Sequence, residues 1–199
     1  MKAVVFDLGN VLIRWQPEAA LSHLFDSPEE MARVLAEIDF AGWNLEQDRG
    51  RSWEDGVAAG RAAHPEQGHV FAAYAEGLAA AHREPIAGTI ALLERLHTAG
   101  TPLFAITNAS ERTVELVAEM HGFMPRFGDV VISGVERVAK PEHGIFNTFL
   151  ARNGYAPEDC LFIDDSPRNV EAARAVGMAA HHFTTADELE RDLVERGFL

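Results

Sequence analysis

An α/β fold, built as an open doubly wound parallel sheet with an all-helical cap inserted after its first strand, is what this sequence predicts. Three observations carry that reading. Short apolar runs at Ala3-Val4-Val5-Phe6, Leu103-Phe104-Ala105-Ile106 and Cys160-Leu161-Phe162-Ile163 are each followed by polar turn residues and then by a helix-forming stretch. The strand-helix rhythm is lost between about Pro17 and His82, where the chain turns Ala- and Glu-rich. With 199 residues there is room for one full core and one insertion, not for two independent folds.

The elements follow in order. After the strand at 3–6, helix starts are expected at Pro17-Glu18-Ala19, at Ser27-Pro28-Glu29-Glu30 with Met31, Val34, Leu35 and Ile38 behind it, and at Ser52-Trp53-Glu54-Asp55. The Ala-rich stretch from Phe71 to His82 is helix-forming and no low-complexity tract. Phe40, Trp43 and Trp53 are expected in the core of this insertion and not against substrate. From Pro85 the rhythm resumes: Ile86, Ile90, Leu93 and Leu96 share a helix face that Gly100 ends. Strands at 103–106, 129–132, 160–163 and 178–183 then alternate with helices at about 110–121, 144–153, 167–176 and 186–196. Right-handed crossovers make this a Rossmann-like sheet, with residues 1–16 and 83–199 as the core and 17–82 as the cap.

Strand ends are where ligands bind in such a sheet. Three segments bring polar groups there, Phe6-Asp7-Leu8-Gly9-Asn10-Val11, Ile106-Thr107-Asn108-Ala109 and Phe162-Ile163-Asp164-Asp165-Ser166, and a fourth, Ala139-Lys140-Pro141-Glu142, carries a lysine in a turn-forming stretch. A carboxylate at Asp7 can attack phosphorus in line. Thr107 can donate its hydroxyl to a phosphoryl oxygen, with the Asn108 N–H beside it at the start of a helix whose dipole favours anions. An ammonium at Lys140 can relieve repulsion between the nucleophile and the phosphoryl group. Asp164 and Asp165 would repel each other unless a cation sat between them and Asp7, and hard oxygen ligands favour Mg2+. His181 and His182 fall in a strand, where they point to opposite faces and make no metal pair.

The order and spacing of these four segments resemble the haloacid dehalogenase superfamily, over nearly the whole chain. Asp-Leu-Gly-Asn-Val followed by a helical insert is similar to the small sugar-phosphate phosphatases and to the phosphatase domain of soluble epoxide hydrolases. The resemblance implies a Mg2+-dependent hydrolase of a small phosphomonoester, with a sugar 1-phosphate as one candidate, working through an aspartyl-phosphate on Asp7. It also implies Asp165 as a direct metal ligand, Asp164 close behind it, the Gly9 carbonyl as a further ligand, and Asn169 as the polar residue supporting the pair.

One departure stands out. Most phosphatases of the superfamily carry a second Asp two positions after the nucleophile, as general acid and base, and here that position is Gly9. A residue of the cap, Glu46 or Asp48, could swing in; the leaving group could need little protonation, as an anomeric oxygen does; or the protein is slow. Gly9 could also be required for a positive φ. The same departure keeps alive a metal-free 2-haloacid dehalogenase using Asp7, though two further carboxylates suit a carboxylate-bearing substrate poorly. A non-catalytic phosphate-ligand sensor is the third reading.

Composition narrows the partners. A net charge of −14 with no compensating Lys/Arg cluster excludes a phosphate backbone as an expected partner, so no nucleic acid is predicted. No segment approaches a membrane span, and the short apolar start is not a signal peptide, so a cytoplasmic protein is expected. The single cysteine, Cys160, reads as a small buried hydrophobe. Oligomeric state is not legible.

Overall fold

The computed structural model describes residues 2–199. Five strands, β1 (Ala3–Phe6), β2 (Leu103–Thr107), β3 (Val130–Ile132), β4 (Cys160–Asp164) and β5 (Ala179–His182), form one parallel sheet in the order β3-β2-β1-β4-β5. Twelve α-helices accompany them among the described residues. Six make up the stretch inserted after β1: α1 (Pro17–Leu21), α2 (Pro28–Glu37), α3 (Phe40–Asp48), α4 (Trp53–Ala63), α5 (Gly68–Glu76) and α6 (Leu78–Ala81). The others are α7 (Ala87–Thr98), α8 (Glu111–Met120), α9 (Ser133–Glu136), α10 (His143–Asn153), α11 (Pro167–Ala175) and α12 (Ala186–Glu195).

The period-2 alternation of β1 builds two cores. Val4 and Phe6 face a cluster with Leu93 and Leu96 of α7, Val117 of α8 and Leu189 and Leu193 of α12. Ala3 and Val5 face the opposite cluster, with Ile145, Phe146 and Phe149 of α10 and Val170 and Ala173 of α11. Each fully buried Phe or Leu contributes about 1.5–3 kcal/mol relative to exposure. Covering both faces is what lets all five strands run parallel.

β1 is the centre, paired with β2 on one side and β4 on the other, and the strand order reverses there. Its neighbours run in register, Phe6 beside Ala105 and Ile163, so Asp7, Thr107 and Asp164 emerge along one edge. That edge is the switch point of an open sheet.

The inserted helices have caps that the sequence supplies. Ser27 accepts from Glu30 N, Ser52 from Asp55 N, and Asp39, at φ 45°, from Gly42 N. Their aromatic core packs Phe40 edge-on to Tyr74 at 4.8 Å and Trp43 against Phe71 at 4.9 Å. Among the contacts that tie these helices to the sheet domain, Trp53 Nε1 donates to Ser110 Oγ (3.0 Å), Ser133 Oγ donates to the Asp48 carbonyl, and Arg49 pairs with Glu142 at the surface.

The helix-forming stretch 71–82 is helical in two pieces, the end of α5 and α6, parted at Gly77. A Cβ on Gly77 would lie 2.6 Å from the Ala20 side chain, so α1 packs closely against this break. Neither α3 nor the short α9 was expected as a helix from the pattern. Among the described residues no helix is long and apolar enough to cross a membrane.

Candidate active site

Asp7 leaves the end of β1 with its backbone N–H bonded to Ile163 O (2.8 Å), which seats it against β4. Its Oδ1 accepts from Leu8 N (2.7 Å) and from Lys140 Nζ (2.8 Å), while no donor reaches Oδ2 among the described residues. Lys140 Nζ also donates to Asp164 Oδ2 (2.7 Å) and to Ile106 O (2.9 Å). All three ammonium protons are therefore used, on a side chain only 1% exposed. Burial pulls this lysine's pKa down, but Asp164 and Asp7 outweigh it and hold the group above its ordinary range, as a permanent cation.

Asp164, fully buried, is held from every side. Besides Lys140 it accepts from Ser166 N (2.8 Å) and from Asn169 Nδ2, at 2.9 and 3.1 Å to its two oxygens. Asp165 is half-buried and turns to the cavity, next to Asn10. One carboxylate oxygen from each of Asp7, Asp164 and Asp165 lies within 4.8 Å of the others. Three carboxylates face one ammonium. Burial first, then Asp164 and Asp165, push Asp7 up to about 7 despite Lys140. Burial and then Asp164 likewise raise Asp165. Oxygen-only donors with uncompensated negative charge fit a hard divalent cation.

Above these groups is a cavity of about 210 Å³. The strand edge supplies Asp7, Gly9, Thr107, Asn108 and Asp165; the inserted helices supply Asn44, Asp48, Trp53 and Tyr74; Trp15, His82, Thr113 and Val114 complete the wall. Trp15 Nε1 donates to the Tyr74 hydroxyl (2.8 Å), fixing both rings. His82 Nδ1 donates to Leu78 O (2.8 Å), and burial lowers its pKa, so the neutral ring keeps Nε2 as an acceptor.

The family model for haloacid dehalogenase-like hydrolases matches residues 1–177. The chain belongs to that family. It is 26% identical to the sesquiterpene phosphatase astK of Aspergillus oryzae over 189 residues, 92% of this chain and 90% of that protein. Among solved structures it resembles a haloacid dehalogenase family enzyme of Bacteroides thetaiotaomicron in complex with magnesium and inorganic phosphate. That match has a TM-score of 0.73 at 20% identity and covers 93% of this chain and 95% of the other. The L-2-haloacid dehalogenase of Xanthobacter autotrophicus matches with a TM-score of 0.71 at 20% identity, covering 100% of this chain and 84% of the other. Both structural likenesses concern the fold.

Several expectations need correcting for this hydrolase. Asn108 does not begin a helix: α8 starts at Glu111 with Ser110 as its cap, because the Ser110 hydroxyl, not that of Thr107, accepts from the first turn at Thr113 N. The Asn108 side chain instead bonds both ways with the Lys140 backbone, Lys140 N to Oδ1 at 2.8 Å and Nδ2 to Lys140 O at 2.9 Å. It positions the lysine from 32 residues away, a pairing no local pattern reveals. Gly9 does not sit at positive φ; Asn10 does, at 54°, and a Cβ on Gly9 would meet nothing within 4 Å. Trp53 belongs to the core of the inserted helices and lines the cavity as well. Trp15, Asn44, Tyr74 and His82 had no sequence signal and come to the cavity through packing.

Proposed function

We propose that the enzyme is a Mg2+-dependent phosphatase of small phosphomonoesters, of the sugar-phosphate class, acting through an aspartyl-phosphate on Asp7. The observation that carries this reading is the Asp7–Lys140–Asp164 chain of contacts at 2.8 and 2.7 Å, with Asp165 completing a three-carboxylate group. Residues 17–82 act in it as the cap over a core of residues 1–16 and 83–199.

Each residue has a task. Lys140 pins Asp7 Oδ1 and leaves Oδ2 to attack phosphorus; the P–O bond to the leaving group breaks, and water then cleaves the aspartyl-phosphate. Thr107, at the end of β2 and on the cavity wall, donates to a phosphoryl oxygen beside the Asn108 N–H. Asp7, Asp165 and the Gly9 carbonyl would hold Mg2+, with Asp164 supporting from behind under the grip of Asn169 and Lys140. The ion, when bound, neutralises charge on the phosphoryl oxygens and on the carboxylates. The cavity is of a size for a leaving group of about one sugar ring. Taken alone, glycine at position 9 would limit the enzyme to leaving groups that need little protonation, such as the anomeric oxygen of a sugar 1-phosphate.

The test is phosphate release from sugar phosphates and nucleotides with Mg2+ or with chelator, run beside halide release from 2-haloacids. Mg2+-dependent phosphate release that Asp7→Asn abolishes is the expected result. Gly9 also favours the metal-free dehalogenase; halide release in chelator, with phosphate esters untouched, would replace the phosphatase reading with that one.

A further inference from the structure

We infer that Asp48, the last residue of α3, is the general acid and base of this hydrolase, taking the place of the carboxylate missing at position 9. The inference rests on the phosphatase reading above and extends it. Three carboxylates line the cavity among the described residues, Asp7, Asp48 and Asp165. Asp7 and Asp165 belong to the clustered group at the strand edge, whereas Asp48 comes from the inserted helices and is outside that cluster. The two acidic residues of this stretch are thereby separated: Glu46 is exposed and off the cavity, two residues away on a different helix face.

Asp48 is fixed in place. Its carbonyl accepts from Ser133 Oγ, which in turn accepts from Ala109 N (3.0 Å), so the end of α3 is stitched to the loop carrying Thr107 and Asn108. Its carboxyl has one side-chain donor, Asn44 Nδ2 at 3.2 Å, and no cation pairs with it among the described residues. A neutral amide partner does not force the acid to ionise. Removal from water, with the negative charge of Asp7 next, pushes it up to about 8, Lys140 opposing. At neutral pH the group therefore carries the proton that an acid catalyst needs.

The cycle balances. As Asp7 Oδ2 bonds to phosphorus and the ester P–O bond breaks, the Asp48 carboxyl gives its proton to the leaving oxygen. A water then attacks the aspartyl-phosphate, its proton passes to the Asp48 carboxylate, and the P–O bond to Asp7 breaks, restoring both residues. With a proton supplied from the cap, ordinary alcohol esters become substrates, and the restriction to anomeric phosphates is lifted.

The experiment compares the unmodified enzyme, Asp48→Asn and Asp48→Asn with Gly9→Asp, on alkyl phosphates of graded leaving-group pKa and on 4-nitrophenyl phosphate. The unmodified enzyme should show rates nearly indifferent to leaving-group pKa. Asp48→Asn should lose about 10²–10⁴-fold in kcat on the alkyl esters. On 4-nitrophenyl phosphate, whose leaving group needs no proton, it should release about one nitrophenolate per site in a burst and then turn over slowly, because the aspartyl-phosphate waits for its base. Adding Gly9→Asp, at a position with room for a side chain, should restore alkyl turnover at least tenfold. Glu46→Gln should leave all rates unchanged. A steep leaving-group dependence in the unmodified enzyme overturns the assignment without any variant having to fold. So does Asp48→Asn activity within about threefold of normal on alkyl esters, or equal losses on both ester types without a burst. An unmodified protein that hydrolyses no ester with Mg2+ would instead overturn the phosphatase reading, and this assignment with it.

Discussion

Asp48 and Lys140 illustrate opposite outcomes of burying a charge. Lys140 has two carboxylates at 2.8 and 2.7 Å and a carbonyl at 2.9 Å, and it stays charged. Asp48 has one neutral donor at 3.2 Å, and its proton stays on. The consequence for stability follows from the direction of the shift. A carboxyl raised from 3.8 to about 8 on folding contributes fully below pH 3.8, and that contribution is lost as pH rises through 8. Asp48→Asn carries no such loss. In chelator, its melting temperature relative to the unmodified protein should climb between pH 4 and 8 and level off above, at a limit of about 1.4 kcal/mol per pH unit. A difference that does not change with pH would show that the carboxyl is not raised.

The seam between α3, α4 and the sheet domain depends on close backbone approach. Gly50 lies at φ +96°, and a Cβ there would come 2.5 Å from Gly134 O. An alanine would carry both the left-handed strain and a backbone collision that no rotamer can relieve. Gly50→Ala should cost about 2 kcal/mol, roughly 5 °C in Tm for a chain of this length. Because Asp48 is two residues away, kcat on alkyl esters should fall with it, more than the rate on 4-nitrophenyl phosphate. Calorimetry together with the two-substrate assay checks this, and an unchanged Tm would mean that the seam opens freely. The helices themselves need less from their surroundings, since Ser27, Ser52, Ser110 and Thr185 each cap their own first turn.

For the molecule as a whole, the net charge of −14 and the carboxylate group at the strand edge act in one direction, towards cation binding. A cation bound only by the folded state stabilises it by mass action, about 2.7 kcal/mol at a hundredfold excess over Kd. Adding MgCl2 to the chelator-stripped protein should raise Tm, and Asp165→Ala should remove most of that rise while keeping its own melt cooperative. An equal rise in both proteins would mean that Mg2+ acts on the acidic surface and not at the site. The fold sets the stage for this by covering both faces of the sheet, leaving its C-terminal edge and the overlying helices as the place where Asp7, Thr107 and Asp165 meet a cavity, with Asp164 buried behind them.

Strand and helix periodicity, the caps, and the four polar segments are local properties, and they were enough to read the parallel sheet, the helical insertion and the residues at the strand ends. Asp7, Lys140, Asp164 and Asp165 could be named because each sits at or beside the end of an apolar run or in the turn before the next helix, whereas Asn169 was named through the family resemblance. Contacts across long separations left no such trace. Asn108 braces Lys140, Ser133 fastens α3, and Trp15 meets Tyr74 59 residues later. The same holds for the choice between Glu46 and Asp48. Composition treats those two carboxylates alike, and the turn that carries them was not expected as a helix. Which of them faces the cavity depends on how α3 rolls against α4 and the sheet, where Gln47 buries itself against Trp43 and Arg51 and Gly50 lets the backbone close on Gly134. Packing sets that rotation, and with it which carboxylate loses its water and keeps its proton.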